Sequence, residues 1–233
     1  MKINRRQFVR NLGLGTASLS MGSLISTSSC APSGDSRDKR GKVSDDDQFL
    51  FIGDDIAIAQ TEYGKVQGYL LNHVYTFLGV PYGADTSGKN RFMPPQKPEP
   101  WTDVRPAVFY GNTAPQRMEN RWPNNYGTFA DHWNYWDVSE DCLYLNVWTP
   151  GIADGKKRPV LVWLHGGGFT NGSGIEQDGY HGENISREGD IVFCSINHRL
   201  GPIGFSDLSG VGGEAYKDSG NVGMLDIIAA LRW

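Results

Sequence analysis

Residues 163–174 read WLHGGGFTNGSG, with Gly166, Gly167 and Gly168 directly after His165 at the end of an apolar run. Glycine loses more backbone entropy on folding than any other residue, so three in a row need a physical reason. One reason is chemical. Bare backbone N–H groups can meet an anion that a Cβ would crowd, and preset amides of this kind stabilise the oxyanion of acyl transfer. The alternative is a glycine-rich turn leaving a strand, common in any protein that alternates strands and helices.

Amides alone perform no reaction; a nucleophile is needed as well. A serine on a strand-to-helix elbow carries glycine at both −2 and +2. Ser173 has Asn171 before it, Ser209 has Asp207, and Ser219 stands between Lys217 and Asn221, so none fits. The five histidines form no H-x-x-x-H pair and the three cysteines no C-x-x-C, so no metal site or other cofactor is expected. Asp45, Asp46 and Asp47 read as solvated linker. Residues 122–136 hold six aromatics, Trp122, Tyr126, Phe129, Trp133, Tyr135 and Trp136. They are candidates to line a substrate pocket; the alternative is that they fasten a proline-rich loop to the body.

The elements that must position these groups follow from hydropathy. Residues 56–71 are strand-like with a turn at Tyr63-Gly64-Lys65, and residues 75–83 form a short apolar run. LYLNVW (143–148), VLVWL (160–164) and IVFCSIN (191–197) read as strands. VLVWL is apolar on both faces, as in a central strand covered on both sides. In GNVGMLDIIAALRW the period switches, placing Met224, Ile227 or Ile228, and Leu231 on one helix face. Buried strands interleaved with loops and a helix imply an α/β sheet.

The 233 residues suffice for one sizeable domain, and 30 glycines, roughly twice the usual share, imply many tight turns. The net charge of −4 is unevenly spread: residues 1–42 carry eight Lys/Arg and two Asp, leaving a body of −10. That acidity disfavours nucleic acid as a partner. Residues 1–30 read as an export signal, with Arg5-Arg6 and Phe8 resembling a twin-arginine motif ahead of a weakly apolar stretch. This places the protein in the periplasm or cell envelope. Cys30 is a candidate for lipidation, which would anchor the chain to the membrane; cleavage nearby without a lipid is the alternative. Residues 31–49 form a flexible linker and 50–233 the folded domain.

EDCLYLNVWTP (140–150), WLHGGGF (163–169), NHRLGPIGF (197–205) and GNVGMLDIIAALRW (220–233) resemble, in order and spacing, the type-B carboxylesterase family, which includes cholinesterases and neuroligin-like adhesion proteins. YGKVQGYL and FLGVPYG look like its early strands. The resemblance implies the N-terminal half of an α/β-hydrolase fold: a mostly parallel sheet preceded by small antiparallel strands. It implies an oxyanion hole at the amides of Gly167 and Gly168, shaped by His165 and Gly166, and small carboxylic esters as substrates. It implies an internal ion pair of Glu140 with Arg199. Cys142 matches a position that often forms a disulfide, but the matching stretch GNTAPQ has Ala114 and no cysteine, so a free buried thiol is expected. The family's G-x-S-x-G elbow, acid and histidine have no match in these 233 residues. The chain is therefore expected to be the N-terminal part of a serine esterase and inactive alone. A non-catalytic binding protein on the same fold, or a fragment without function, are the alternatives.

Overall fold

The computed structural model describes residues 49–116 and 137–233. Cys30, the export signal, nearly all of the linker and the six aromatics between 122 and 136 lie outside these residues.

The main sheet is built from β1 (Leu50–Phe51), β4 (Tyr69–Leu71), β5 (Val74–Pro81), β7 (Tyr144–Thr149), β8 (Val160–Leu164) and β9 (Val192–Ile196), in the order β1-β4-β5-β7-β9-β8. A small sheet holds β2 (Ile58–Gln60), β3 (Lys65–Gln67) and β6 (Arg105–Pro106). The helices are α1 (Glu183–Gly189), α2 (Gly201–Phe205), α3 (Ser209–Gly212) and α4 (Val222–Arg232). The mixture of sheet and helices bears out the α/β class.

The sheet is mixed rather than mostly parallel over the described strands. Neighbours from β1 to β9 pair antiparallel, and only β8 and β9 run parallel. Connection length accounts for one pair of each kind. Asn72 and His73 close β4 onto β5 with positive φ at both positions, 48° and 66°, the geometry of a two-residue hairpin turn. Between β8 and β9, by contrast, lies the crossover containing α1, as a parallel pair requires.

The expected strands lie where the hydropathy put them. Among the described residues β8 stands last in the strand order, with Val160 63% and Leu164 47% exposed. A continuous apolar run shows that both faces tolerate cover, not what supplies it; α1 packs on β5, β7 and β9 instead. The core lies beneath β5, β7 and β9, where Phe77, Val80, Leu143, Leu145 and Ile196 are buried.

The face of α4 also differs from its apolar period. Val222, Gly223, Asp226 and Ile227 are buried, while Ile228 and Leu231 are exposed. An acidic residue sits in the middle of the buried face because Arg199 meets it there.

Candidate functional site

The glycine loop leaves β8 at its C-terminal end, the end of a parallel strand where α/β proteins place their ligands. Gly167 has φ +116° and Gly168 φ +61°, conformations that side chains resist. The loop curls back on itself. Thr170 N–H and Asn171 N–H donate to Gly167 O at 3.2 and 3.3 Å, and the Thr170 hydroxyl donates to the same oxygen at 2.9 Å. A Cβ on Gly167 would overlap the Asn171 carbonyl, and one on Gly172 (φ +107°) would overlap Gly166 O and the His165 ring. At Gly166 and Gly168 nothing described lies within 4 Å of that position. The run therefore has two different needs: Gly167 and Gly172 allow the curl to close, and Gly168 supplies backbone handedness.

Residues 166–170 are exposed. Among the described residues, nothing accepts a hydrogen bond from the amide of Gly167 or Gly168. Two exposed amides left open by a tight curl are what an anion site needs.

Three supports hold the loop. Gly201 N–H at the start of α2 donates to Phe169 O at 2.7 Å. The His165 ring stacks on His198, centroids 4.9 Å apart at 14°, and Phe169 packs against Phe205 at 5.2 Å. Burial pushes the His198 imidazole below its usual pKa, opposed by its contact with Arg199 O and by Asp226. Burial thus favours the neutral form of the ring under His165. Third, the Gln116 carboxamide meets Gly172 twice: Gly172 N–H donates to Gln116 Oε1 at 2.7 Å, and Gln116 Nε2 donates to Gly172 O at 2.9 Å. The hydropathy reading missed Gln116, because a lone polar residue 49 positions before His165 carries no local signal of its role.

A hollow of about 590 Å³ opens beside the loop, lined by Pro115, Gln116, Thr170, Asn171, Gly201, Pro202 and Ile203. None of these residues is ionisable. A second, more apolar hollow of about 430 Å³ lies among Ala59, Val66, Phe77, Val147, Ile152 and Trp233. It contains no residue of the glycine loop, so the first hollow is the candidate site.

The expected Glu140–Arg199 ion pair does not form. Glu140 instead accepts two 2.7 Å hydrogen bonds from Arg91 in a half-exposed pair. Arg199, fully buried, binds Asp226, also fully buried. Asp226 accepts from Arg199 N–H at 3.0 Å, Nε at 2.8 Å and Nη2 at 2.6 Å, while Nη1 donates to Met93 O at 2.8 Å. A fully buried guanidinium requires a charge partner in contact, and the α4 carboxylate reaches it where Glu140 does not. Burial raises the Asp226 pKa and the guanidinium opposes the rise. The pair ties α4 to the segment that ends in Gly201, and thereby to Phe169 O.

Cys142 is a free, fully buried thiol whose pKa burial pushes up. Cys194 is likewise free, raised to about 12. Neither is a candidate nucleophile, since the thiolate is the reactive form. Among the described residues no cluster of ligands could hold a metal ion.

The model of the Carboxylesterase family matches residues 55–233. The chain is 41% identical over 179 residues to the para-nitrobenzyl esterase of Bacillus subtilis (strain 168), covering 76% of this chain and 34% of that protein. It is 44% identical over 176 residues to the phenmedipham hydrolase of Pseudarthrobacter oxydans, covering 76% and 33%. Among solved structures, an esterase from Clostridium hathewayi that hydrolyses aliphatic aromatic polyesters aligns with a TM-score of 0.73 at 40% identity, over 80% of this chain and 35% of that one. The chain spans about a third of the length of the curated relatives it matches. Four motifs in register, an α/β fold and this match together place the chain in the carboxylesterase family.

Proposed function

We propose that this chain carries the oxyanion-hole segment of a serine-dependent carboxylic ester hydrolase. The observation that supports it is the pair of exposed amides at Gly167 and Gly168, which meet no acceptor among the described residues. When a nucleophile attacks an ester carbonyl, negative charge gathers on the former carbonyl oxygen. Amides already oriented toward that oxygen stabilise the charge without reorganising. The described residues that line the adjoining hollow carry no charge, which suits a neutral ester.

In this reading the attacking serine, its histidine base and the orienting acid are supplied by residues beyond these 233, since no serine here lies in G-x-S-x-G. The test uses a hybrid in which residues 55–233 replace the matching third of the Bacillus subtilis para-nitrobenzyl esterase. The hybrid is expected to hydrolyse p-nitrophenyl acetate, and the 233-residue chain alone to show no turnover above buffer. A folded hybrid that binds esters without cleaving them would favour the non-catalytic alternative. Turnover by the chain alone that survives His165→Ala would overturn the proposal.

A further inference from the structure

We infer that Gln116 is a positioning residue of the glycine loop, its carboxamide holding Gly172 as a neighbouring strand would. This rests on the ester-hydrolase reading for its catalytic consequence, but the geometry stands by itself. The side chain uses both ends: Oε1 accepts from Gly172 N–H, and Nε2 donates to both Gly172 O (2.9 Å) and Ala114 O (3.1 Å). The orientation is fixed by chemistry, because a reversed amide would set its oxygen against two carbonyl oxygens and its NH2 against an N–H.

What Gln116 holds is the closing residue of the curl. Gly172 is buried and packs so closely on Gly166 O and the His165 ring that no Cβ fits. Asn171, immediately before it, packs equally closely on Gly167. A shift of Gly172 therefore moves the backbone carrying the two open amides. Gln116 touches neither amide itself, and acts through Gly172.

The clamp has a protonation signature that a space-filling side chain lacks. Glutamate at this position keeps the shape. Ionised, it can accept from Gly172 N–H, but its second oxygen faces the Gly172 and Ala114 carbonyls with no proton to offer. Protonation restores that donor. Facing two carbonyl oxygens raises the carboxyl's pKa, because only the protonated oxygen can donate to them, and the Gly172 N–H opposes the rise. Gln116→Glu should therefore be defective at pH 8 and recover toward wild type as pH falls to 5.

Amide hydrogen exchange on the 233-residue chain tests the clamp without any assay of activity. Gln116→Ala, with two hydrogen bonds to the loop removed, is expected to speed exchange about tenfold or more at Gly172 and at Gly201. Gly201 is the informative position: the described hydrogen bonds of Gln116 do not reach it, and its amide reports the bond to Phe169 O. Protection in β7 and β9 should be unchanged. For Gln116→Glu the excess over wild type at matched pH should be large at pH 8 and small at pH 5. An effect confined to Gly172, an effect without pH dependence in the glutamate variant, or loss of protection across the whole sheet would each overturn the proposal. In the active hybrid, Gln116→Ala should lower kcat with KM little changed, and Gln116→Glu should show the same pH-dependent ratio to wild type. Loosened exchange with unaltered kcat would leave the clamp standing and remove the oxyanion role from the loop.

Discussion

Gly167→Ala in the ester-hydrolysing hybrid is expected to lower kcat by a hundredfold to a thousandfold, about the loss of one oxyanion-hole donor. The three adjacent glycines should not respond alike. At Gly167 the added methyl meets the Asn171 carbonyl and its side-chain oxygen, at a φ of +116° that alanine avoids. Backbone cannot yield as the end of a long side chain can, so the loop must open and the amide must turn. At Gly168 nothing described obstructs the methyl, and only the φ of +61° opposes it. Holding alanine there costs about 1–2 kcal/mol, so Gly168→Ala should lose about tenfold if the loop relaxes to relieve that strain. Gly166 has no described obstacle and no positive φ, and Gly166→Ala should stay near wild type. Steady-state kinetics on p-nitrophenyl acetate give the ladder directly. Equal losses at all three positions would point to a generic glycine-rich turn instead.

Asp226→Ala is expected to have the largest effect on stability. It strands Arg199, fully buried, with its remaining described hydrogen bond to Met93 O. Removing one partner of a buried ion pair typically costs about 3–5 kcal/mol, because the survivor is an uncompensated charge. For a domain of this size that is a fall in Tm of roughly 6–20 °C. The double variant Arg199→Met, Asp226→Leu removes both charges and should recover most of the loss. Thermal melts of the 233-residue chain, single and double variants side by side, check this. A double variant as unstable as Asp226→Ala would mean that packing, not the stranded charge, sets the cost. The consequence reaches the candidate site as well, since the buried pair anchors the segment whose Gly201 amide holds Phe169 O.

How much of this was legible in the sequence follows from the range of each interaction. β7 and β9 were legible because alternation and continuous apolar runs are local signals, and both strands lie where hydropathy placed them. So was the glycine loop, because positive φ and close backbone approach leave glycine as their trace at Gly167 and Gly172. The partner of Arg199 was not. Glu140 and Asp226 are both acidic, and choosing between them depends on where α4 crosses the sheet. The same fact hid the buried face of α4, whose middle residue is the charged Asp226 rather than an apolar one. β8 was legible as a strand from its apolar run, which says nothing about its neighbours. Gln116 left no trace at all. Its role comes from a contact across 56 positions of sequence with the backbone of Gly172.

The most direct measurement of the central claim is the crystal structure of the hybrid inactivated by a phosphonate ester, whose tetrahedral phosphorus stands in for the attacked carbonyl carbon. We predict the phosphoryl oxygen about 2.7–3.1 Å from the amide nitrogens of Gly167 and Gly168, the spacing of an oxyanion hole. A phosphonylated serine whose oxygen points away from both amides, with the glycine loop still curled on Gly172, would contradict the account.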